Sequence, residues 1–532
     1  MSLKHTVRYG SVVVAGASLV LGSSLASAAP PGTSHGPRTT VDPYTIPLDP
    51  TQVQIKSLLT VNDLPTGGTT LYQMVGIPDG LGAFPDGSGK ITLVSNHELT
   101  NVQGVARANG QIGAFVSRYT IDPTTDDVTD GADLIPAPAS LDYSGTPATA
   151  FSRFCSGDLA GPNALYNASS GNGYNGRLYF AGEESNVEGR LVGHDPVNGD
   201  AKVLTAQGYL AWENFLLADT AASDKTVGIG NYDVANGIDI IYVGTKTNTG
   251  SKWDKAGLTN GLTYGFKVTG AATDAAFRTN FGKFSPQPFT LTAALPVTTG
   301  AAQQAAALAA GALTLDRTED GAWDPSNPND YYFVTTGSTT PTASHGRGGL
   351  WRMRFIDRTN PALGGTLELL ADGSEAAPMY MPDNMTVDSA GHILIQEDPG
   401  ADNYVARIWA YDIATKSLKP IATFDPALFA PGPTLLTNDE ESSGIITAPA
   451  AFGANTFLFD AQVHTASGLT SPTAQVERGQ YLLMTVDFSQ VFPTLPTDVP
   501  EAPAVVLLSA SALGIMGIAL AMSRRRRASL IG

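Results

Sequence analysis

The sequence has little cysteine and little positive charge. Cys155 is the only cysteine among 532 residues, which excludes intramolecular disulfides, cysteine-based zinc clusters and a lipid anchor at a leader cysteine. The 31 Lys and Arg residues are outnumbered by 49 Asp and Glu residues, which gives a formal net charge of -18. Proteins that bind nucleic acid depend on clustered cations, so we do not expect a nucleic-acid partner. An acidic chain is instead suited to binding cations.

Apolar residues are plentiful, and small residues take the place of charged ones. Hydrophobic residues make up 42% of the chain and charged residues only 15%, alongside 57 Gly and 35 Pro. This composition supplies enough apolar surface for a large core and excludes global disorder. It also favours many short strands joined by turns over a helical protein.

Residues 1–29 have the pattern of a secretory signal peptide. Lys4 and Arg8 precede an apolar run over residues 12–21, and Ala26-Ser27-Ala28 supplies the small residues that signal peptidase requires. An uncleaved membrane anchor is the alternative, but the run is shorter than the ~20 residues that span a bilayer. No second arginine stands beside Arg8, so we expect export through the general route.

Residues 496–532 have the pattern of a C-terminal sorting and anchor segment. Residues 504–522 carry no charge and are long enough for a transmembrane helix, and Arg524 to Arg527 follow them. By the positive-inside rule, this basic tail stays in the cytoplasm. We therefore expect the part of the chain between these two segments, which we call the body, to lie outside the cytoplasm. It is either anchored in the membrane at the cell surface or released after cleavage by a sorting protease.

Residues 40–495 contain no low-complexity linker and are interpreted as one all-β domain with a monomeric body. Strand–turn–strand patterns recur, for example over residues 177–200 and 387–396. A closed, repetitive architecture accommodates this length with short strands. We predict a β-propeller with an Ala-rich helical insertion over residues 300–313, and an array of β-sandwiches is the alternative.

Acidic residues cluster where the predicted strands end. In a propeller such positions project toward one end of the central channel, where converging carboxylates repel one another unless a cation neutralises them. Oxygen-rich sites of this kind favour Ca²⁺ or Mg²⁺. Taken singly, each acid is more often a solvated turn or strand cap. The groups are Asn96-His97-Glu98, Glu183-Glu184, Trp212-Glu213-Asn214, Arg317-Thr318-Glu319-Asp320 and Glu397-Asp398.

Eight motifs, in order, resemble those of the PhoX-type alkaline phosphatase family, whose members are secreted or periplasmic β-propeller enzymes that use iron and calcium. The resemblance covers most of residues 40–495 and implies a propeller of six blades. The motifs are Val94-Ser95-Asn96-His97-Glu98, Phe154-Cys155-Ser156-Gly157, Gly182-Glu183-Glu184, Trp212-Glu213-Asn214-Phe215, Tyr242-Val243-Gly244-Thr245-Lys246-Thr247-Asn248, Arg317-Thr318-Glu319, Pro382-Asp383-Asn384-Met385 and Asp439-Glu440-Glu441-Ser442-Ser443-Gly444.

The resemblance also implies roles for individual residues. In that family a cysteine thiolate and glutamates hold iron, further acids hold calcium, and an arginine contacts the phosphoryl group while a metal-bridged oxygen attacks phosphorus. Carried over, Arg317 is the phosphate-binding residue. The implied metal ligands are Cys155, Glu184, Glu213 and Glu319 for the iron cluster and Asp383 or Asp398 for calcium, with Glu98, Glu183 and Glu441 as acidic neighbours.

We therefore expect an exported, surface-associated, metal-dependent hydrolase that acts on small phosphate esters and requires calcium and iron. The sequence leaves two other functions open. One is a non-catalytic, calcium-stabilised propeller that binds a cell-surface or extracellular ligand. The other is a structural component of the surface layer.

Overall fold

A computed structural model describes residues 29–65, 72–337 and 348–493. The predicted signal peptide, apart from residue 29, and the predicted sorting segment over residues 496–532 lie outside the described residues. Within the described ranges, no helix is both long enough and apolar enough to cross a membrane. Export, anchoring and the helix over residues 504–522 therefore stay predictions.

The described chain is built mainly of strands, which confirms the all-β prediction. The first strands are β1 (Thr33–His35), β2 (Thr45–Pro47), β3 (Val53–Thr60), β4 (Pro78–Pro85), β5 (Ile91–His97), β6 (Phe115–Asp122), β7 (Asp127–Asp133), β8 (Leu141–Asp142), β9 (Phe154–Ala160), β10 (Tyr166–Asn167), β11 (Asn172–Gly173), β12 (Leu178–Glu183), β13 (Leu191–His194), β14 (Ala201–Leu204), β15 (Trp212–Leu217) and β16 (Lys225–Tyr232). The later strands are β17 (Ala235–Gly237), β18 (Ile240–Thr245), β19 (Leu262–Val268), β20 (Gln287–Ala294), β21 (Leu315–Asp316), β22 (Thr318–Trp323), β23 (Asp330–Thr335), β24 (Gly349–Phe355), β25 (Gly365–Ala371), β26 (Pro382–Val387), β27 (His392–Glu397), β28 (Arg407–Asp412), β29 (Ser417–Phe424), β30 (Glu440–Thr447), β31 (Thr456–Val463) and β32 (Arg478–Val486).

Helices in the described ranges are short, and the predicted Ala-rich insertion is the longest of them. It begins at Gly300, where the Thr299 hydroxyl accepts a hydrogen bond from Ala302 N and the Glu188 carboxylate accepts two more from the first turn. It ends at Ala309, earlier than predicted, because Gly311 takes a left-handed φ of +75°. The helices are α1 (Pro162–Leu165), α2 (Lys252–Lys255), α3 (Asp274–Asn280), α4 (Gly300–Ala309), α5 (Pro426–Phe429), α6 (Pro472–Gln475) and α7 (Phe488–Val491), with 3₁₀ turns at Pro138–Ser140, Pro361–Leu363 and Ala450–Phe452.

The strands form antiparallel meanders arranged like the blades of a propeller. Four separate sheets each contain a four-stranded meander, and three of these sheets carry one extra strand at the outer edge. A nine-stranded sheet contains two further meanders, β15-β16-β18-β19 and β22-β23-β24-β25, which β20 joins at their outer edges. The separate meanders are β4-β5-β6-β7, β9-β12-β13-β14, β26-β27-β28-β29 and β30-β31-β32-β3.

The innermost strands of these meanders contact one another in a closed ring, in the order β4, β9, β15, β22, β26, β30 and back to β4. Glycines allow the closest approach: a Cβ on Gly80 would lie 2.1 Å from the backbone nitrogen of Gly157. Apolar side chains such as Trp212, Trp351 and Trp409 are fully buried in clusters between neighbouring meanders. The core therefore lies between the blades, and polar groups are left to line the centre.

The ends of the described chain close the ring. Strand β3 pairs antiparallel with β32, so the last meander is completed by a segment from the beginning of the chain. The Gln480 amide donates to the Thr60 hydroxyl across this seam, 420 positions away in sequence. Strand β2 similarly adds to the outer edge of β29.

Candidate metal and phosphate site

All six inner strands enter the ring in the same register. The first residue of each inner strand pairs with the last residue of the next strand in its sheet, as in Pro78 with His97 and Pro382 with Glu397. A shift of register follows in every case, which bends the strand as a β-bulge does. Two positions per blade are therefore aimed at the channel: the second residue of the inner strand and the residue after the neighbouring strand.

We call the residues at these positions the acid ring. Most of them carry carboxylates, because five of the six inner positions and four of the six outer positions are Asp or Glu. The inner positions are Asp79, Cys155, Glu213, Glu319, Asp383 and Glu441, and the outer positions are Glu98, Glu184, Asp233, Thr336, Asp398 and His464.

Three groups in the acid ring have ligand atoms close enough to share a metal ion. Within each group these atoms lie within 4.8 Å of one another. Cys155 belongs to the first two groups and Glu213 to the last two, so the three form one continuous run. The groups are Asp79, Glu98 and Cys155; Cys155, Glu184 and Glu213; and Glu213, Glu319 and Asp383.

Cys155 lies in an environment that disfavours a free thiolate. Its Sγ lies 3.4 Å from Asp79 Oδ2, and the side chain is buried. Burial, together with the charges of Asp79 and Glu213, raises the pKa of the Cys155 thiol well above its usual value. A cation bound between these groups would reverse this preference and make the thiolate a ligand.

Glu213 is a buried carboxylate without a hydrogen-bond partner on either oxygen among the described residues. Burial raises its pKa well above the usual value, and the charges of Asp383, Glu319 and Glu184 raise it further. A buried, unpaired carboxylate is costly unless a cation compensates it. The side chain therefore has the properties expected of a metal ligand.

Asp383, Asp398 and Glu441 continue the acid ring on the side of β26 and β30. Burial raises the pKa of Asp383, and the charge of Asp398 raises it further. The pKa of Glu441 is raised in the same way, by burial and then by Asp398. The structure thus brings together all six predicted metal ligands and two of the three predicted acidic neighbours, namely Cys155, Glu184, Glu213, Glu319, Asp383 and Asp398 with Glu98 and Glu441.

Glu183 is the predicted acid that the structure does not bring into the ring. It is the last residue of β12, and its carboxylate accepts hydrogen bonds from Arg190 Nε at 2.6 Å and Nη2 at 2.9 Å. It also accepts from Ser152 N at 3.0 Å. Because its neighbour Glu184 points into the ring, Glu183 points away from it and forms a buried ion pair with Arg190.

Side-chain amides hold the backbone that carries the ligands. Asn96 Nδ2 donates to the carbonyl oxygen of Cys155 at 2.7 Å, and Gln396 Nε2 donates to the carbonyl of Ser443 at 3.0 Å. Asn231 makes the same contact with the carbonyl of Glu319. Each bond connects one blade to the inner strand of the next and satisfies a carbonyl where the register shifts. The ligand positions are therefore fixed before any cation binds.

Two arginines lie over the acid ring. Arg317 donates from Nε and Nη2 to both oxygens of Asp233, at 2.8 and 3.0 Å, and lies 3.3 Å from Glu319. Arg153 Nε donates to Glu98 at 2.7 Å, and its Nη2 pairs with Glu184. Both side chains are partly exposed to solvent.

Sequence reasoning missed five members of this constellation: Asp79, Arg153, Asp233, Thr336 and His464. Two of them repeat a pattern visible in the sequence. Ile77-Pro78-Asp79 matches Met381-Pro382-Asp383, and Arg153 stands two positions before a ligand, as Arg317 does. The groups at 212–214 and 317–320, expected where strands end, lie instead where β15 and β22 begin. A comparison of strand beginnings as well as strand ends would have found Asp79 and Arg153.

His464 occupies the outer ring position, where four of the other five blades carry a carboxylate. Its Nδ1 lies 2.6 Å from Glu477 Oε2. Burial opposes the charged form, but the hydrogen bond and charge of Glu477, together with Glu98 and Asp439, raise the pKa of His464 to about 9. At neutral pH the ring therefore contains a third positive charge besides the two arginines.

We expect the contribution of His464 to stability to depend on pH. Its folded pKa of about 9 exceeds the unfolded value of about 6.5, so its stabilising effect is complete below pH 6.5 and is lost as pH rises through 9. In metal-free protein, His464→Gln should lower the free energy of unfolding by about 2–3 kcal/mol at pH 6 and have little effect at pH 9.5. Urea unfolding of both proteins at the two pH values measures this, and an equal loss at both would contradict it.

The donor set fits bound cations. The unpartnered oxygens of Glu213 and the buried thiol of Cys155 provide ligand atoms that lack other partners of opposite charge, and the continuous run offers space for more than one ion. Thiolate suits transition metals such as iron, whereas carboxylates suit calcium. The structure therefore supports metal binding at the acid ring.

Comparisons with known proteins agree with this geometry. Residues 254–420 match the family model described as "Alkaline phosphatase PhoX". This segment contains Arg317, Glu319, Asp383 and Asp398 but not Cys155. No curated protein matches the chain.

Among solved structures, Pseudomonas fluorescens PhoX in complex with vanadate, a transition state analogue, aligns with a TM-score of 0.55 and 14% sequence identity, covering 82% of this chain and 95% of that chain. At this identity the likeness shows the fold alone. A gluconolactonase from Xanthomonas campestris (TM-score 0.33, 11% identity, 82% and 90% coverage) and a protein of unknown function from Dyadobacter fermentans (0.39, 8%, 81% and 99%) are too distant to support any argument. The family resemblance indicated by the sequence motifs is therefore confirmed: the chain is similar to the PhoX-type alkaline phosphatases over residues 254–420 and has a propeller-like fold of the same kind.

Proposed function

We propose that the protein is a metal-dependent, phosphatase-like hydrolase of small phosphate esters. The observation that carries the proposal is the continuous run of ligand groups sharing Cys155 and Glu213, with Arg317 accessible beside it. The family resemblance supplies the reaction class, and calcium and iron are the cations we propose. When bound, such ions neutralise phosphoryl oxygens and activate water.

Other side chains would bind the phosphoryl group and hold the metal ligands in position. Arg317 would bind the phosphoryl oxygens with the fork of its guanidinium, and the bidentate contact with Asp233 would hold that fork in place. Thr336, whose hydroxyl donates to Glu319, would fix the orientation of that ligand. Because Cys155, Glu213 and Glu319 are buried, the reacting group would be held away from bulk water, which strengthens these electrostatic contacts.

We further propose that the nine-stranded sheet counts as two blades, giving six in all, because each inner strand contributes one equivalent position to the acid ring. We also retain the sequence-based proposals that the protein is exported, associated with the surface or membrane through its C-terminal helix unless a sorting protease releases it, and monomeric in its body. Fractionation of cells expressing the full chain tests its location.

Hydrolysis of a chromogenic phosphomonoester and a phosphodiester by the purified full chain tests the proposed function. We expect turnover when calcium and iron are supplied, loss of turnover after chelation, and inhibition by vanadate. Arg317→Met should reduce kcat/KM by about a hundredfold or more, since a charge-assisted bidentate contact is lost. Arg354→Met is the matched control, because Arg354 makes a similar bidentate pair with Asp330 outside the ring.

Measurements on the same preparation distinguish an enzyme from a binding protein without catalysis. A metal-loaded protein that hydrolyses neither ester would overturn the proposal. Calcium without iron in elemental analysis, together with unchanged ligand binding in Cys155→Ala, would instead support a calcium-stabilised propeller without catalysis.

A further inference from the structure

Arg153 occupies the same structural position as Arg317. Each arginine directly precedes the first residue of an inner strand, β9 for Arg153 and β22 for Arg317. Each has a left-handed backbone, with φ of 52° and 60°, which is uncommon for a residue with a long side chain. From this position both side chains contact carboxylates of the acid ring.

The two guanidinium groups use the same edge to contact carboxylates. In each arginine, Nε and Nη2 face the acids of the ring, and Nη1 makes no hydrogen bond to any described residue. The Arg153 side chain is 44% exposed and that of Arg317 is 33% exposed. Each arginine therefore has two N–H donors available to a ligand at the mouth of the channel.

The positions of the arginines place a ligand group between them. Arg153 bridges Glu98 and Glu184, whereas Arg317 bridges Asp233 and Glu319. The group of Cys155, Glu184 and Glu213 lies between these two contacts along the ring. An anion bound at that group would be approached by a guanidinium from either side.

We propose that Arg153 is a second phosphate-binding residue, which acts with Arg317 to hold a phosphate dianion at the mouth of the acid ring. This inference rests on the proposed function. A phosphate monoester offers three oxygens that accept hydrogen bonds, more than a single free Nη1 can satisfy, and paired guanidinium groups match this demand. Cations bound to Glu98 and Glu184 would also free the remaining donors of Arg153.

Calorimetric titration of the metal-loaded full chain with inorganic phosphate tests the inference without requiring turnover. Arg153→Met should weaken phosphate binding by about tenfold or more, the usual effect of losing one charge-assisted contact. Arg153→Lys, which keeps the charge but not the fork, should show an intermediate loss. Arg354→Met is again the matched control, since Arg354 is also 44% exposed and pairs with Asp330, and it should bind phosphate as the unchanged protein does.

Elemental analysis of the same samples distinguishes two roles of Arg153: direct binding of phosphate and support of the metal site. We expect Arg153→Met to retain its metal content. Unchanged phosphate affinity in Arg153→Met would overturn the inference, as would a loss of affinity that merely follows a loss of metal, because Arg153 would then only position Glu98 and Glu184. Phosphate binding through Arg153 in a protein that hydrolyses no ester would overturn the proposed function and leave this inference standing.

Discussion

In metal-free protein at pH 8, Glu213→Gln is expected to increase the free energy of unfolding by about 1–3 kcal/mol. The reason is that Glu213 is buried, has no hydrogen-bond partner on either oxygen among the described residues, and lies near the charges of Asp383 and Glu319. Glutamine has nearly the same shape and carries no charge, so the substitution removes repulsion and desolvation cost. In metal-loaded protein the same substitution should lower the free energy of unfolding, because a ligand shared by two metal groups is lost.

Urea unfolding with and without bound metal measures both effects of Glu213→Gln. The rate of hydrolysis should fall by about a hundredfold or more in the metal-loaded variant. Removing a metal ligand lowers activity more than removing a residue that only supports a ligand. Glu183→Gln is the matched control: it breaks the buried pair with Arg190 and should destabilise the protein under both conditions. Destabilisation by Glu213→Gln of equal size with and without metal would contradict a role as ligand.

Metal removal is expected to invert the usual pH dependence of stability. Burial and like charges raise the pKa values of ring carboxylates such as Glu184, Glu319 and Glu441, and burial raises those of Asp158 and Asp320 to about 7. Unfolded carboxyls titrate near 4. Above that pH the unfolded chain releases protons that the folded chain retains, so each group destabilises the fold by up to about 1.4 kcal/mol per pH unit until its folded pKa is reached.

Thermal unfolding at pH 5, 6, 7 and 8 tests this expectation. Protein freed of metal by prior dialysis should lose thermal stability steadily as pH rises, whereas the metal-loaded protein should change much less because its ligands ionise next to cations. The largest difference in melting temperature between the two forms should therefore occur at pH 8. Parallel curves for the two forms would show that the acid ring does not bind the added cations.

The sequence was sufficient for the strands and for much of the acid ring. The pattern over residues 387–396 predicts a hairpin, and β26 and β27 form it. Glu98, Glu184 and Asp398 could be found because each directly follows a strand that is rich in apolar residues. These features are local, so they are visible in a single stretch of sequence.

The remaining features depend on contacts between distant segments. Asp79 becomes part of the ring only because β4 lies beside both β9 and β30. Arg153 joins it because it contacts Glu98, which follows β5 in the neighbouring blade, and Glu184, which follows β12 in its own blade. Glu183 and Glu184 are adjacent in sequence, yet the register of β12 against β9 decides which of them faces the channel. Composition and spacing carry no information about that register.

The seam between β3 and β32 also sets a time at which the protein can become functional. Because its partners lie 420 positions apart, synthesis at ~10 residues per second separates their appearance by roughly 40 seconds. During that interval the circle of blades is open, and Glu441 and His464, on the last meander, have not reached their neighbours. Assembly of the complete acid ring must therefore wait for the synthesis of β32 and cannot accompany that of the earlier blades.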